Sequence, residues 1–113
     1  MREFLRWQRG RQASGYDKML LARGLWPLPF DCYLLRFPEG AEIRPHTDPV
    51  GEGRHFRLNI VVREAREGGE FVCAAPIRAS RRIKLFRPDV CEHSVSRVLR
   101  GTRHVLSIGW VRR

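Results

Sequence analysis

The chain has 113 residues, 42% of them hydrophobic and 30% charged, which predicts one globular domain and excludes a disordered or multidomain architecture. No apolar run approaches the length of a membrane span, and the basic start MREFLRWQRGRQ lacks an apolar core, so neither a membrane segment nor a secretory leader is expected and a cytoplasmic location is. The formal net charge of +10 turns attention away from cationic partners and toward anionic ones: nucleic acid, an acidic protein or a phosphorylated or carboxylated small molecule.

Residues 1–12 predict a short helix, with Phe4, Leu5 and Trp7 as packing groups. Ser14 can cap a second helix, with Asp17 reaching back and Tyr16, Met19 and Leu20 spaced along one face. Arg23 suits its last turn and Gly24 the position past its end. Pro27 and Pro29 force an extended path from Leu25 to Phe30. Residues 1–30 thus read as an N-terminal helical and extended segment, and residues 31–113 as a β core of the same domain.

From Asp31 the pattern is β. Cys32 to Phe37 is apolar and aromatic, Pro38-Glu39-Gly40 is a turn, and Ala41 to Pro45 leads to His46-Thr47-Asp48. A loop from Pro49 to Gly53 precedes a strand from His55 to Val62, then a turn over Glu64 to Gly68 and an extended stretch from Gly69 to Cys73. Ala74 to Ser80 is a loop, Arg82 to Phe86 alternates, and Val90 to Val98 is extended. Leu99-Arg100-Gly101 is a turn before the last strand, Thr102 to Val111. Short strands at close spacing with turn signals between them predict a sandwich or barrel.

Alternation along these strands sorts their faces. In His55 to Val62, Phe56, Leu58, Ile60 and Val62 form a wholly apolar row, expected in the core beneath the N-terminal helix. The opposite row, His55, Arg57, Asn59 and Val61, is polar in a central-looking strand and is expected to line a polar cavity. The last strand divides in the same way. Arg103, Val105, Ser107 and Gly109 set small residues beside one arginine, leaving room for a ligand, and His104 faces away as a structural residue.

His46, Asp48 and His93 carry the chemistry. Two imidazoles and a carboxylate are the ligand set of the facial triad that holds a non-haem Fe(II) and leaves coordination positions open. His46 and Asp48 are two apart, so on an extended segment both side chains leave one face; His93, 45 residues beyond Asp48, comes from another strand. Arg103 sits ten residues after His93, across a turn, where a guanidinium can hold a distal carboxylate in a bidentate grip. The same ligands also suit Zn(II) and a hydrolytic water, in which case Arg103 would have no duty.

With these residues in place, the chain resembles the Fe(II)- and 2-oxoglutarate-dependent dioxygenase superfamily, nearest to its prolyl-4-hydroxylase-like branch. The resembling text is Arg36-Phe37-Pro38-Glu39-Gly40, Arg44-Pro45-His46-Thr47-Asp48-Pro49, Phe56-Arg57-Leu58-Asn59-Ile60-Val61-Val62 and Gly68-Gly69-Glu70-Phe71. It closes with Phe86-Arg87-Pro88, His93-Ser94-Val95, Gly101-Thr102-Arg103, Leu106 and Trp110, spanning residues 31–112. The resemblance implies a mainly β double-stranded β-helix (jelly roll), His46, Asp48 and His93 as iron ligands, and Arg103 as the 2-oxoglutarate clamp. It also implies O2 as co-reactant and a hydroxylase that releases succinate and CO2. Two departures stand out: Phe37 occupies a position where relatives often carry tyrosine, and Val105 stands where another branch has the serine of Arg-x-Ser.

Asn59 and Arg57 are second candidates for cosubstrate or substrate contacts. The substrate (a protein side chain, an amino acid or peptide, or nucleic acid) and the oligomeric state are open at this stage. The competing reading is a non-catalytic, basic jelly-roll binding module for nucleic acid or another anion. Of the 22 basic residues 20 are arginines, scattered along the chain, so codon bias explains the charge as well as a functional face does. The remaining readings are plainer. Cys32, Cys73 and Cys91, odd in number and without CxxC spacing, are expected as free thiols. His55 shares a face with Arg57 and Asn59, which makes it a substrate-contact candidate, and the plainer expectation is a solvent-exposed strand end; Trp26 and Trp110 are expected in the core.

Overall fold

The computed structural model describes residues 7–9, 15–24, 30–49, 51 and 53–112, and every regular element among them is a strand. Seven strands form one antiparallel sheet in the order β1 (Trp7–Arg9), β2 (Asp17–Gly24), β3 (Phe30–Phe37), β12 (Arg103–Arg112), β5 (Arg54–Arg63), β9 (Ile83–Phe86) and β8 (Arg78–Ala79). A smaller antiparallel sheet runs β4 (Ile43–His46), β10 (His93–Val95), β7 (Phe71–Cys73), and β11 (Val98–Arg100) pairs with β6 (Glu67–Gly68) as a ribbon. The last strand thus lies in the middle of the large sheet, between β3 and β5. This crossover belongs to a jelly roll and not to a simple meander.

The core lies where the two sheets face each other. Phe37 and Val105 of the large sheet meet Ala41, Val95 and Val98 opposite, with Tyr16, Leu35, Ile43, Ala65 and Phe71 packed around them. Tyr16 stacks on Phe37 with ring centroids 5.0 Å apart. The ribbon approaches closely at Gly68, whose φ of +75° suits glycine; a Cβ there would stand 2.1 Å from the Arg97 carbonyl oxygen.

The N-terminal helices expected from sequence are not formed in the described residues. Trp7–Arg9 is a strand paired with β2, and the segment read as a capped helix is β2 itself, paired with β3 from Asp17 opposite Arg36 to Gly24 opposite Phe30. The apolar spacing that suggested a helix misled because positions i and i+4 share a face in a strand as well. Tyr16 and Leu20 do share one, with Lys18 between them on the cavity side, while Met19 points the other way. Asp17 does not cap a turn: its carboxylate takes the Arg36 guanidinium at 2.9 Å, with the Trp7 ring over that same guanidinium at 4.0 Å. Pairing with an open sheet edge outweighs a modest local helix preference. The rest of residues 1–14, with 25–29, lies outside the described residues.

Most of the remaining boundaries fall within a residue or two of expectation. The stretch from Val90 to Val98 is the main exception: it divides into a turn, β10 and β11. Within the expected turns and loops, Glu67–Gly68, Arg78–Ala79 and Leu99-Arg100 are strand residues instead.

One face of β5 is as expected, with His55, Arg57 and Asn59 lining a cavity, but the apolar row is not in the core. Asn59 and Val61 are the buried residues, and the apolar row Phe56, Leu58 and Ile60 lies half-buried on the outside of the sheet, with Val62 exposed. Trp110, expected in the core, joins that outer row and stacks on Phe56 at 5.9 Å. The helix assumed to cover this row is the strand pair β1–β2, which lies in the sheet and not across it.

Candidate metal centre

His46 ends β4 and His93 begins β10, directly opposite each other in the small sheet, and Asp48 follows two residues after His46. The three supply donor atoms that all lie within 4.8 Å of one another. His46 Nε2 is 3.5 Å from one Asp48 oxygen and His93 Nε2 is 3.4 Å from the other. Three donors at right angles, each about 2.1 Å from an ion, stand about 3.0 Å apart; the two His–Asp separations are wider by about half an ångström, and the full set falls within 4.8 Å.

The imidazoles are oriented from behind. His46 Nδ1 lies 2.7 Å from the Arg44 carbonyl oxygen and His93 Nδ1 lies 2.9 Å from that of Cys91. A carbonyl only accepts, so each Nδ1 carries the proton and donates it. In the neutral imidazole that leaves each Nε2 with its lone pair, and both Nε2 atoms lie beside the Asp48 carboxylate, the arrangement in which histidine binds a divalent ion. The donor set therefore fits such an ion.

One turn serves two of the ligands. The Asp48 amide donates to the Pro88 carbonyl at 2.6 Å, and the Cys91 carbonyl takes the His93 proton. The turn is closed by the Cys91 amide on the Arg87 carbonyl at 2.8 Å and by a two-point ion pair from Arg87 to Asp89 at 2.6 and 3.2 Å. Burial pushes the Asp89 carboxyl up, but hydrogen bonds from Arg87 and from the His55 amide outweigh it and hold the group below the ordinary carboxylate range.

The triad opens into a cavity of about 290 Å³, at the small end for small-molecule sites. Arg103, Arg57 and Asn59 line the same cavity, so the structure brings all six residues selected from the sequence into one space. Arg103 is 7% exposed; it donates to the Gly69 carbonyl at 2.8 Å, and its buried Nε has no partner. Burial lowers its proton affinity, and Glu64 and Glu70 oppose that shift. A buried guanidinium with an unused donor is a ready receptor for a carboxylate.

Arg57 is already engaged. It donates to both Asp31 oxygens, at 2.9 and 3.1 Å, and to Ser107 Oγ at 2.8 Å, and Ser107 in turn donates to Asn59 Oδ1 at 2.7 Å. Register explains the path. Asp31, Gly109 and Arg57 stand side by side on β3, β12 and β5, and the Arg57 side chain crosses over Gly109 to reach Asp31. A Cβ on Gly109 would lie 2.1 Å from that guanidinium. The room read into Gly109 is therefore filled by Arg57 and not left for a ligand. Arg103 and Gly109 are six residues apart on β12, about 20 Å along the strand, so the two arginines occupy different ends of the inner face.

Two residues escaped the sequence reading, and a third was read on the right face but as exposed. Asp31 is the partner of Arg57; its period-2 spacing with Tyr33 and Leu35, which also line the cavity, was the available signal. His55, expected at an exposed strand end, is half-buried in the cavity wall. Burial and then Arg57 lower its pKa, against the opposing charges of Asp31, Asp48 and Asp89. Cys73 lies with its sulfur 2.7 Å from that of Cys91. Burial and the contact with Cys91 push the Cys73 thiol up to about 11.

No family model matches the sequence, and no curated protein does. Solved structures do match. A prolyl-4-hydroxylase of Pseudomonas putida aligns with a TM-score of 0.72 at 16% identity, over 95% of this chain and 77% of its own. KdgF from a Halomonas species aligns at 0.62 and 22%, over 96% and 89%. The viral collagen prolyl hydroxylase of Paramecium bursaria Chlorella virus-1, solved with 2-oxoglutarate, aligns at 0.62 and 15%, over 87% and 79%. Cupin domains of fungal and bacterial origin match beside them. At these identities the likeness is one of fold: the chain is a mainly β protein with the cupin, or jelly-roll, architecture.

Proposed function

We propose that the protein is an Fe(II)- and 2-oxoglutarate-dependent dioxygenase that hydroxylates a substrate still to be identified. One observation carries the reading: two histidines with their Nδ1 protons committed to carbonyls and one aspartate converge in the same small cavity as a buried arginine with a spare donor. When bound, Fe(II) together with 2-oxoglutarate and O2 supplies the oxidising chemistry, with release of succinate and CO2. His46, Asp48 and His93 hold the ion from one side and leave the other side open. Arg103 holds the far carboxylate of 2-oxoglutarate, and the apolar residues Phe71, Phe86, Val95 and Val105 keep water from the space between. The prolyl hydroxylases among the structural matches favour this chemistry over a hydrolytic metal site, which gives Arg103 nothing to bind. The ion pair of Asp31 with Arg57, together with Lys18, Tyr33 and His55, offers a polar wall for the substrate.

A thermal-shift series needs no substrate. Mn(II) in place of Fe(II) is expected to raise the melting temperature, and 2-oxoglutarate to raise it further only with metal present. Arg103→Met should keep the first shift and weaken 2-oxoglutarate binding roughly 10–100-fold. A 2-oxoglutarate shift that persists in His46→Ala without metal would overturn the reading.

A further inference from the structure

Cys73 ends β7 and Cys91 closes the turn before β10. Cys73 stands opposite His93 in the register of the small sheet. The two sulfurs are 2.7 Å apart, roughly 0.6–0.7 Å more than a disulfide bond of about 2.05 Å. The Ala75 amide donates to Cys91 Sγ at 3.3 Å and holds that sulfur toward β7. Cys73 is the more accessible of the two, and Cys91 is buried. Strand β7 and the turn before β10 already bring the thiols into contact, so a bond between them requires little movement of the main chain.

The position gives such a bond a consequence. Cys91 belongs to the turn whose Pro88 carbonyl holds the Asp48 amide, and its own carbonyl receives the His93 proton. A covalent link from Cys91 to Cys73 fixes that turn to β7 directly behind both groups.

We infer that Cys73 and Cys91 are a site of reversible disulfide formation that pins the Arg87–Cys91 turn behind Asp48 and His93. The oxidant is a small-molecule disulfide such as oxidised glutathione. Cys73, the accessible thiol, attacks as its thiolate, a minor form at neutral pH because the thiol is pushed up to about 11; it displaces one glutathione thiol and forms a mixed disulfide. Cys91 then attacks the Cys73 sulfur and releases the second. The two cysteines lose two electrons and two protons, one S–S bond forms and one breaks, and two glutathione thiols leave. Formation of the bond is independent of the proposed activity; its effect on metal binding rests on that reading.

The test uses the full chain, reduced and then equilibrated with oxidised glutathione. The mass should fall by two hydrogens, and a non-reducing digest should yield a linked Cys73–Cys91 peptide while Cys32 stays open to alkylation. Dithiothreitol should reverse the link. In the linked form the Asp48 amide and the Arg87–His93 segment should exchange hydrogen more slowly, and the melting temperature should rise by several degrees. Cys91→Ser should instead accumulate glutathione on Cys73; because the wild-type peptide map carries the main result, a poorly folding variant does not obscure it.

Free thiols, or mixed disulfides at both positions, would overturn the site. A link that leaves amide exchange unchanged would overturn the pinning. Affinity for cobalt(II) alone should differ several-fold between the two forms, and equal affinity would overturn the coupling. An absence of cobalt binding in both forms would instead count against the metal centre and leave the peptide map standing.

Discussion

The two faces of the large sheet differ in an instructive way. The inner face, bounded by a second sheet, carries Asp31, Arg57, Asn59, Ser107 and Arg103 among its apolar residues. The outer face carries Phe56, Leu58, Ile60, Leu106, Ile108 and Trp110, all half-buried. Ordinary patterning would put the apolar row inside. Here the inner polar groups are tolerated because they satisfy one another: Asp31 accepts from Arg57, Arg57 donates to Ser107, and Ser107 donates to Asn59. Arg103 is the member left with an open donor, at the far end of the face from that network. His55 Nδ1, in the same cavity wall, is also buried without a partner, so the contrast separates residues that hold the inner face together from two with unused polar atoms, of which Arg103 carries the charge.

Substitutions can sharpen this division. The largest effect is expected at the triad: His46→Ala should weaken divalent-metal binding by more than 100-fold, measured by calorimetry, with little change in melting temperature without metal, because a wall residue and not a core residue is removed. Phe37→Ala reverses that profile. Phe37 is 1% exposed and stacked on Tyr16, so the truncation should reduce unfolding free energy by about 3–5 kcal/mol in urea titrations.

Gly109→Ala lies between the two. Its new methyl group would strike the Arg57 guanidinium and separate it from Asp31, at roughly 1–3 kcal/mol of stability. Ile108→Ala, one residue away on the half-buried outer row, removes apolar contact without touching the network, and comparing the two shows whether the polar chain or the apolar row matters more to this strand.

The smallest expected effect is one of acidity. Asp89 has a depressed folded-state pKa, so the folded protein binds fewer protons there than the unfolded chain between the two values. Its contribution is complete above about pH 4, the unfolded carboxylate range, and disappears as pH falls through the lower folded value. The stability gap between wild type and Asp89→Asn should therefore be widest at neutral pH and close below about pH 4, as followed by denaturant midpoints.

The legible parts of the molecule were those fixed by period-2 alternation. His55 to Val62 and Thr102 to Val111 revealed their cavity-facing rows, and Arg57, Asn59 and Arg103 were found in this way. His46 and Asp48 were legible because a spacing of two keeps ligands on one face. The polarity of the outer row was misread because an apolar row was assigned a covering helix, and that helix rested on the spacing of Tyr16 and Leu20, which a strand satisfies as well. Asp31 and Cys73 were missed for another reason. Each matters through a partner far along the chain, Arg57 for one and Cys91 for the other: strand register brings the first pair together, and the turn leading into β10 brings the second.

The central claim is that His46, Asp48 and His93 grip one ion that still has room for a chelating keto acid, with Arg103 holding its other end. An anaerobic titration of Fe(II)-loaded protein with 2-oxoglutarate, followed in the visible spectrum, tests it most directly. The account predicts a metal-to-ligand charge-transfer band that saturates at one equivalent, is absent in His46→Ala and needs roughly 10–100-fold more 2-oxoglutarate in Arg103→Met. A wild-type protein that binds Fe(II) at the triad yet develops no such band would contradict it.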